Sequence, residues 1–205
     1  MTGDLLPAKV LATHTIANVS ETLAEKLGLP PEYRSIGIIT ADSDDVTYCA
    51  LDEATKAAAV EVVYGRSLYA GAANASTKLA GEVIGILAGP NPAEVQSGLR
   101  SCVDFMESGV GFRSANEDDS VIYFAHTVSR TGSYLSKTAG VKEGEALAYL
   151  IAPPLEAVVG LDEAMKASDV ELVALFEPPS ETNFGGGLLT GTQSACNAAA
   201  SAFAE

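Results

Sequence analysis

Tryptophan is absent, histidine occurs twice and cysteine three times in 205 residues. These absences exclude much chemistry. Cys49, Cys102 and Cys196 are far apart and form no CxxC pair, and no His/Cys cluster has metal-ligand spacing. The three read as reduced, small apolar residues of a cytosolic protein. No Ser, Cys or Asp lies in a motif for nucleophilic work, so no catalytic residue, metal or cofactor is expected. Basic residues are scarce too: 12 Lys and Arg stand against 27 Asp and Glu, a net charge of −15. That balance excludes a nucleic-acid binder, which needs cations to displace phosphate counterions. It also disfavours docking on anionic lipid. No apolar run approaches 18 residues, so no membrane span is expected. The opening MTGDLLPAKV lacks a charged-then-apolar signal pattern. The closing Ala202-Phe-Ala-Glu reads as the inside of a helix, which leaves room for a longer native tail.

What is present is apolar and repeated. Hydrophobic residues make up 47% and alanine fills 33 positions, enough for a sizeable core. Leu51 to Val63 reads LDEATKAAAVEVV, and Leu161 to Val173 reads LDEAMKASDVELV. Nine of these thirteen positions are identical, where chance gives roughly one, so the chain contains a duplication. Upstream, Ala12-Thr-His14-Thr-Ile matches Phe124-Ala-His126-Thr-Val, and Gly28 matches Gly140. The apolar run Ile36–Thr40 matches Leu147–Ile151, and Gly81–Gly89 corresponds more loosely to Gly186–Gly191. Charge divides evenly, with 14 acids and 7 bases in residues 1–110 and 13 and 5 in residues 111–205. The expected domains are therefore 1–110 and 111–205, bridged by a Gly-, Asn- and acid-rich linker from Ser108 to Asp119.

Each copy reads as strand, short helix, strand, helix, strand, loop, strand, helix. The expected strands are 10–19, 36–40, 60–63 and 83–88, then 121–129, 146–152, 170–175 and 187–189. The expected helices are 20–27, 51–59 and 92–106, then 132–138, 161–168 and 192–204. Ser20 is a candidate N-cap, Gly28 and Gly140 are candidate C-caps, and Pro92 suits a first helical turn. This density of elements implies an α/β (α+β) fold, with a four-stranded sheet and helices on one face in each copy.

The segment Leu161–Val173 resembles the "A-D-A-M-x-K-A-A-x-V-x-L-V" segment of bacterial microcompartment shell proteins, and Leu51–Val63 carries it again. His14-Thr-Ile-Ala-Asn-Val and His126-Thr-Val-Ser-Arg-Thr resemble that family's "H-V-I-P-R-P" segment. In single-domain members this segment lies near the domain's end. Here it opens each copy, which implies circular permutation. The resemblance covers essentially the whole chain. It extends to Ala41–Tyr48, Val63–Ala72, Val128–Ser136 and Ala152–Ala157, which are similar to the ethanolamine-utilisation branch of the family. It implies two tandem permuted BMC (ferredoxin-like) domains. It also implies a homotrimeric, pseudohexameric tile, packed edge to edge with other shell proteins around enzymes in a cytoplasmic microcompartment.

The resemblance further implies roles for particular residues. Lys56, Lys166 and Arg130 fall at lattice-edge positions, while Asn18 replaces the arginine in the first copy. Solvated lysines on an amphipathic helix would leave the same pattern. The loops 65–79 and 177–187 are expected to line a gated central pore, with Tyr69, Asn74, Glu181, Asn183 and Phe184 at its margin. Flexible surface loops are the plainer reading of their composition. Smaller pores within each subunit are expected to hold ethanolamine, a cation at neutral pH, near Asp44, Asp45, Glu82 and Phe112. The plainer reading of the Asp42–Asp45 acids is helix capping in a solvated turn. Glu117–Asp119 lacks the alternating oxygen ligands of a calcium loop. His14 and His126 repeat without catalytic partners, as duplicated structural residues would. A regulatory small-molecule binder built of duplicated ferredoxin-like domains is the alternative function.

Overall fold

The structure is a computed structural model that describes residues 2–67, 83–177 and 184–205. Ten strands and six helices follow one another in the described residues. They cluster into two compact units. One comprises residues 8–109 together with Gly132–Tyr134. The other comprises residues up to Pro7, Val110–Thr131 and Leu135–Glu205.

The first unit is built on an antiparallel four-stranded sheet in the order β2-β3-β5-β4. Its strands are β2 (Val10–Ile16), β3 (Ser35–Ala41), β4 (Glu61–Ser67) and β5 (Val83–Gly89). Register places Ile39 opposite Gly85 and Gly37 opposite Leu87. A side chain at Gly37 would collide with Val95 and Leu99, and one at Gly85 with Leu51. Those three neighbours belong to the long helices α2 (Asp44–Ala57) and α3 (Pro92–Glu107), which therefore pack closely on this face. The opposite face carries Ile36, Ile86 and Ala88, which gather with Val19 and Ala24 of the short helix α1 (Glu21–Leu27) and its lead-in. Alternation along β3 thus buries both faces of the sheet. Gly28 ends α1 in the left-handed region at φ 67°, where its N–H reaches the carbonyl of Glu25 and that of Leu29 reaches Ala24. Asn91 caps α3 by accepting the Glu94 N–H at 3.0 Å, and Pro92 occupies the first turn.

The second unit repeats this plan. Its four equivalent strands are β7 (Ile122–Val128), β8 (Ala146–Ala152), β10 (Gly185–Gly191) and β9 (Val170–Phe176). Two further strands, β6 (Gly111–Ser114) and β1 (Leu5–Pro7), extend the sheet to the order β1-β6-β7-β8-β10-β9. β6 lies inside the segment expected to be a linker. Its pairing with β1 could not be anticipated, because the partner is more than a hundred residues upstream. Helices α5 (Pro154–Ala167) and α6 (Gln193–Phe203) cover one face through Ala148, Leu150, Leu161, Ala164, Cys196, Ala199 and Phe203. Small alanines let these helices approach the sheet, which accounts for part of the alanine excess. Helix α4 (Ser133–Ala139) follows β7, and Gly140 lies after it at φ 68°, the counterpart of Gly28.

Candidate functional site

The start of α2 is the most unusual polar locus of the first unit. The helix begins at Asp44, seven residues before the periodic pattern suggests, and buries its acidic first turn. Ser43, Asp44, Asp45 and Thr47 are all buried. Acids favour a helix N-terminus, which partly offsets the loss of water around them. Asp44 accepts the Asp45 N–H at 2.9 Å, and its carboxyl also hydrogen-bonds the Asp45 side chain and the Ser67 hydroxyl. Burial pushes the Asp44 pKa up to about 6 against these hydrogen bonds. Thr47 Oγ1 donates to the Ser43 carbonyl at 2.6 Å. Among the described residues, Ser43 Oγ is buried with no hydrogen-bond partner. A buried hydroxyl normally finds one.

Two phenols close round this turn. Ser67 also hydrogen-bonds Tyr48, whose pKa is raised by burial and by nearby Asp44. The Tyr48 and Tyr134 rings lie 6.3 Å apart, and burial pushes Tyr134 up to about 12. Neither is a base at neutral pH, so the locus can bind and orient but has no group poised to take a proton by way of a phenolate. Ser43, Tyr48, Ser67 and Tyr134 were not singled out from the sequence as site residues. Only the strings Ala41–Tyr48, Val63–Ala72 and Val128–Ser136 contain them. Asp42 stands apart from its neighbours: it accepts the Lys9 N–H at 2.6 Å and ties the two segments together.

One turn further along α2, Asp52 is fully buried. It accepts the Gly132 N–H at 2.7 Å, and Thr55 Oγ1 accepts the Ser133 N–H at 3.1 Å. A Cβ at Gly132 would meet Thr55 Oγ1 at 2.2 Å, so only glycine permits this approach. Lys56 bonds Glu53 and lies 3.6 Å from Asp52. In the repeat, Lys166 bonds Asp162 and lies 3.6 Å from Glu163, with most of its side chain exposed. Arg130 is exposed, as is Asn18 at its equivalent position.

Phe112 belongs to the second unit, where it is buried on β6. Its ring lies 5.4 Å from Phe124 and 5.8 Å from Phe184, and Phe124 in turn contacts His126 at 5.7 Å and Tyr149 at 5.6 Å. His126 is therefore part of an aromatic ladder on the sheet, while His14 is exposed. Glu82, Tyr69, Asn74, Glu181 and Asn183 lie outside the described residues. Among the described residues, no three His, Cys, Asp or Glu side chains could hold a metal ion together. No helix among them is long and apolar enough to cross a membrane. The thiols of Cys49 and Cys102 are buried and raised, Cys102 up to about 12, so both are inert at neutral pH.

A family model, the BMC domain, matches residues 35–115, from β3 to just past β6. The match begins one strand after the first copy does, as permutation requires. The bacterial microcompartment shell protein EutL of Clostridium perfringens is 69% identical over 205 residues, covering 100% of this chain and 94% of that protein. EutL of Salmonella typhimurium is 57% identical over 202 residues, covering 98% and 92%. The crystal structure of ethanolamine utilization protein EutL from Leptotrichia buccalis superposes with a TM-score of 0.95 at 70% identity, over 100% of this chain and 94% of that one. EtuB from Clostridium kluyveri shares the fold, with a TM-score of 0.80 over 93% and 83% of the chains at 22% identity.

Repeat, fold and matches together define a tandem BMC-domain protein, a structural component of a microcompartment shell rather than an enzyme. Shell proteins of this class assemble with other shell proteins. The chain belongs to the EutL family of bacterial microcompartment shell proteins.

Proposed function

We propose that three copies of this chain form a pseudohexameric tile in the shell of an ethanolamine-utilisation microcompartment, and that small molecules cross the tile through pores. Relatives that carry the name ethanolamine utilization protein support the pathway. The observation that carries the transport reading is the buried acidic turn at Asp44 and Asp45 beside the Ser43 hydroxyl, which has no hydrogen-bond partner among the described residues. Ethanolamine is an ammonium ion with a hydroxyl group. The carboxylates would take its N–H groups through charge-assisted hydrogen bonds, and Ser43 would take its hydroxyl. Glu82 and Phe112 are the remaining proposed contacts of this small pore. Selectivity would come from pore diameter and charge, so a neutral aldehyde would find no ionic partner there.

The loops bearing Tyr69, Asn74, Glu181, Asn183 and Phe184 are assigned to a larger central pore. Its gating requires a ligand with unequal affinity for its two states. Lys56, Lys166 and Arg130 are assigned to tile edges. Calorimetric titration of ethanolamine into the protein tests the small pore. Asp45→Asn should weaken binding about ten-fold, the loss of one charge-assisted bond. Unchanged affinity would remove the assignment. Hexagonal arrays in negative stain would support the tile, and a strict monomer at high concentration would sink it.

A further inference from the structure

The acids at the start of α2 are not demanded by the fold. At an offset of 110 residues the second copy places Pro154 and Leu155 where the first has Asp44 and Asp45, and it still forms the helix. In the first copy both acids are removed from water, at 5% and 6% exposure. The Asp44 carboxyl takes the Asp45 N–H at 2.9 Å, the Ser67 hydroxyl and the Asp45 carboxyl itself. That last contact is informative. Ionised carboxyls only accept hydrogen bonds, so two of them bond to one another only with a proton between them. Ser67 sets the direction of the rest of the network. Its single hydroxyl proton goes to Asp44, so its oxygen accepts from the neutral Tyr48 phenol. Gly65 makes room for the second phenol, because a Cβ there would lie 2.7 Å from the Tyr134 hydroxyl oxygen and 3.5 Å from the Tyr48 ring. Tyr48 and Cys49 of α2 and Tyr134 of α4 are all raised by burial, so none of them takes the proton at neutral pH. Arg66 of β4 faces Tyr134, and Asp52, Glu53 and Lys56 face Cys49 from further along α2. Asp42 is tied to the Lys9 N–H. A proton that leaves the pair therefore goes to solvent.

We infer that Asp44 and Asp45 share one proton when no guest is bound, and that an arriving ammonium group displaces it. This rests on the ammonium-site reading above and adds how that site is controlled. The charges balance. The pair with its proton carries one negative charge, and two carboxylates with one ammonium carry the same. The exchange thus never leaves two carboxylates unneutralised out of water. A neutral guest brings no charge to replace the proton and leaves it in place. Ser43 is the independent sign that a guest belongs here, since its buried hydroxyl has no hydrogen-bond partner among the described residues. Ser67 becomes a positioning residue: acting through Asp44, it favours the ionised form and so sets the pH range of the exchange.

The test titrates ethanolamine calorimetrically into the full chain, in pairs of buffers that differ in heat of ionisation. With the Asp44 pKa at about 6, binding at pH 5.5 should release about three-quarters of a proton per guest, and almost none at pH 7.5. Ser67→Ala removes one hydrogen bond to the charged form, so the release should move up by about one pH unit. At pH 6.5 it should then rise from about one-quarter to about three-quarters of a proton, and Ser67→Thr, which keeps the hydroxyl, should return it to the wild-type value. Asp45→Asn should abolish the release, because the amide N–H replaces the shared proton. Binding with equal heats in both buffers at pH 5.5, or a release that persists in Asp45→Asn, would overturn the inference and leave the ammonium site standing. Absence of binding at pH 7.5 as well would overturn both.

Discussion

At the residue scale, Asp44 concentrates the functional argument. Its folded pKa of about 6 lies above the ordinary carboxylate value, so ionising it costs stability. The sign follows directly. This group's contribution is most favourable below about pH 4 and is lost as pH rises through about 6. Asp44→Asn should raise stability above pH 6 by on the order of 1–3 kcal/mol and have little effect near pH 4, as read by urea denaturation across that range. The same titration governs the proposed ligand. Ethanolamine stays cationic throughout, so its affinity should fall as pH drops below 6 and the carboxyl becomes neutral. Flat affinity from pH 5 to 7.5 would contradict the assignment. Nothing in the sequence distinguishes Asp44 and Asp45 from a solvated turn. The Asp44 carboxyl is held by Ser67 of β4, which is remote from α2 in the sequence.

At the element scale, the contrast between α2 and α5 separates positions that look identical in sequence. Asp52 and Asp162 share the string Leu-Asp-Glu-Ala, but only Asp52 is buried against a backbone N–H. Asp52→Ala should cost about 1–3 kcal/mol, because it leaves the Gly132 donor unsatisfied. Asp162→Ala should stay within about 0.5 kcal/mol under conditions where the chain is monomeric. Comparing the two urea midpoints checks both. The repeat made the second half of each helix legible, because Leu51, Ala54, Leu161 and Ala164 fall at core spacing. It left the first halves unread. Asp44–Ala50 shows no apolar stripe that sets it apart from a loop, and α5 begins at Pro154 directly after Pro153. Strands β3, β5, β8 and β10 were legible as apolar runs. β6 was not, since four residues in a Gly- and acid-rich stretch carry no period. The short helix α1 was expected, and its burial of the second sheet face follows from Val19 and Ala24.

At the scale of the whole molecule, charge sets the problem of assembly. In the proposed tile three chains would carry three times −15, or −45, so its edge contacts would have to overcome repulsion. If the proposed edge assignment holds, Lys56→Glu together with Lys166→Glu should abolish ordered arrays in negative stain while leaving the proposed trimer intact. Lattice persistence would remove both lysines from the edge. Added salt should restore assembly of the wild type at low protein concentration by screening that repulsion. Duplication was readable from self-comparison. The use of each copy was not, because the same sequence pattern yields a closed helix face in one copy and an open one in the other.

The pairing of β1 with β6 also orders the birth of the molecule. Leu5–Pro7 leaves the ribosome before its partner Gly111–Ser114, which follows only after the whole first sheet has been made. The opening residues must therefore wait, unpaired, while residues 8–109 form their own core. Closing so long a loop is slow relative to local contacts. Deleting residues 1–7 should then leave refolding of the first unit unchanged and slow or weaken the second, which pulsed hydrogen exchange would resolve unit by unit.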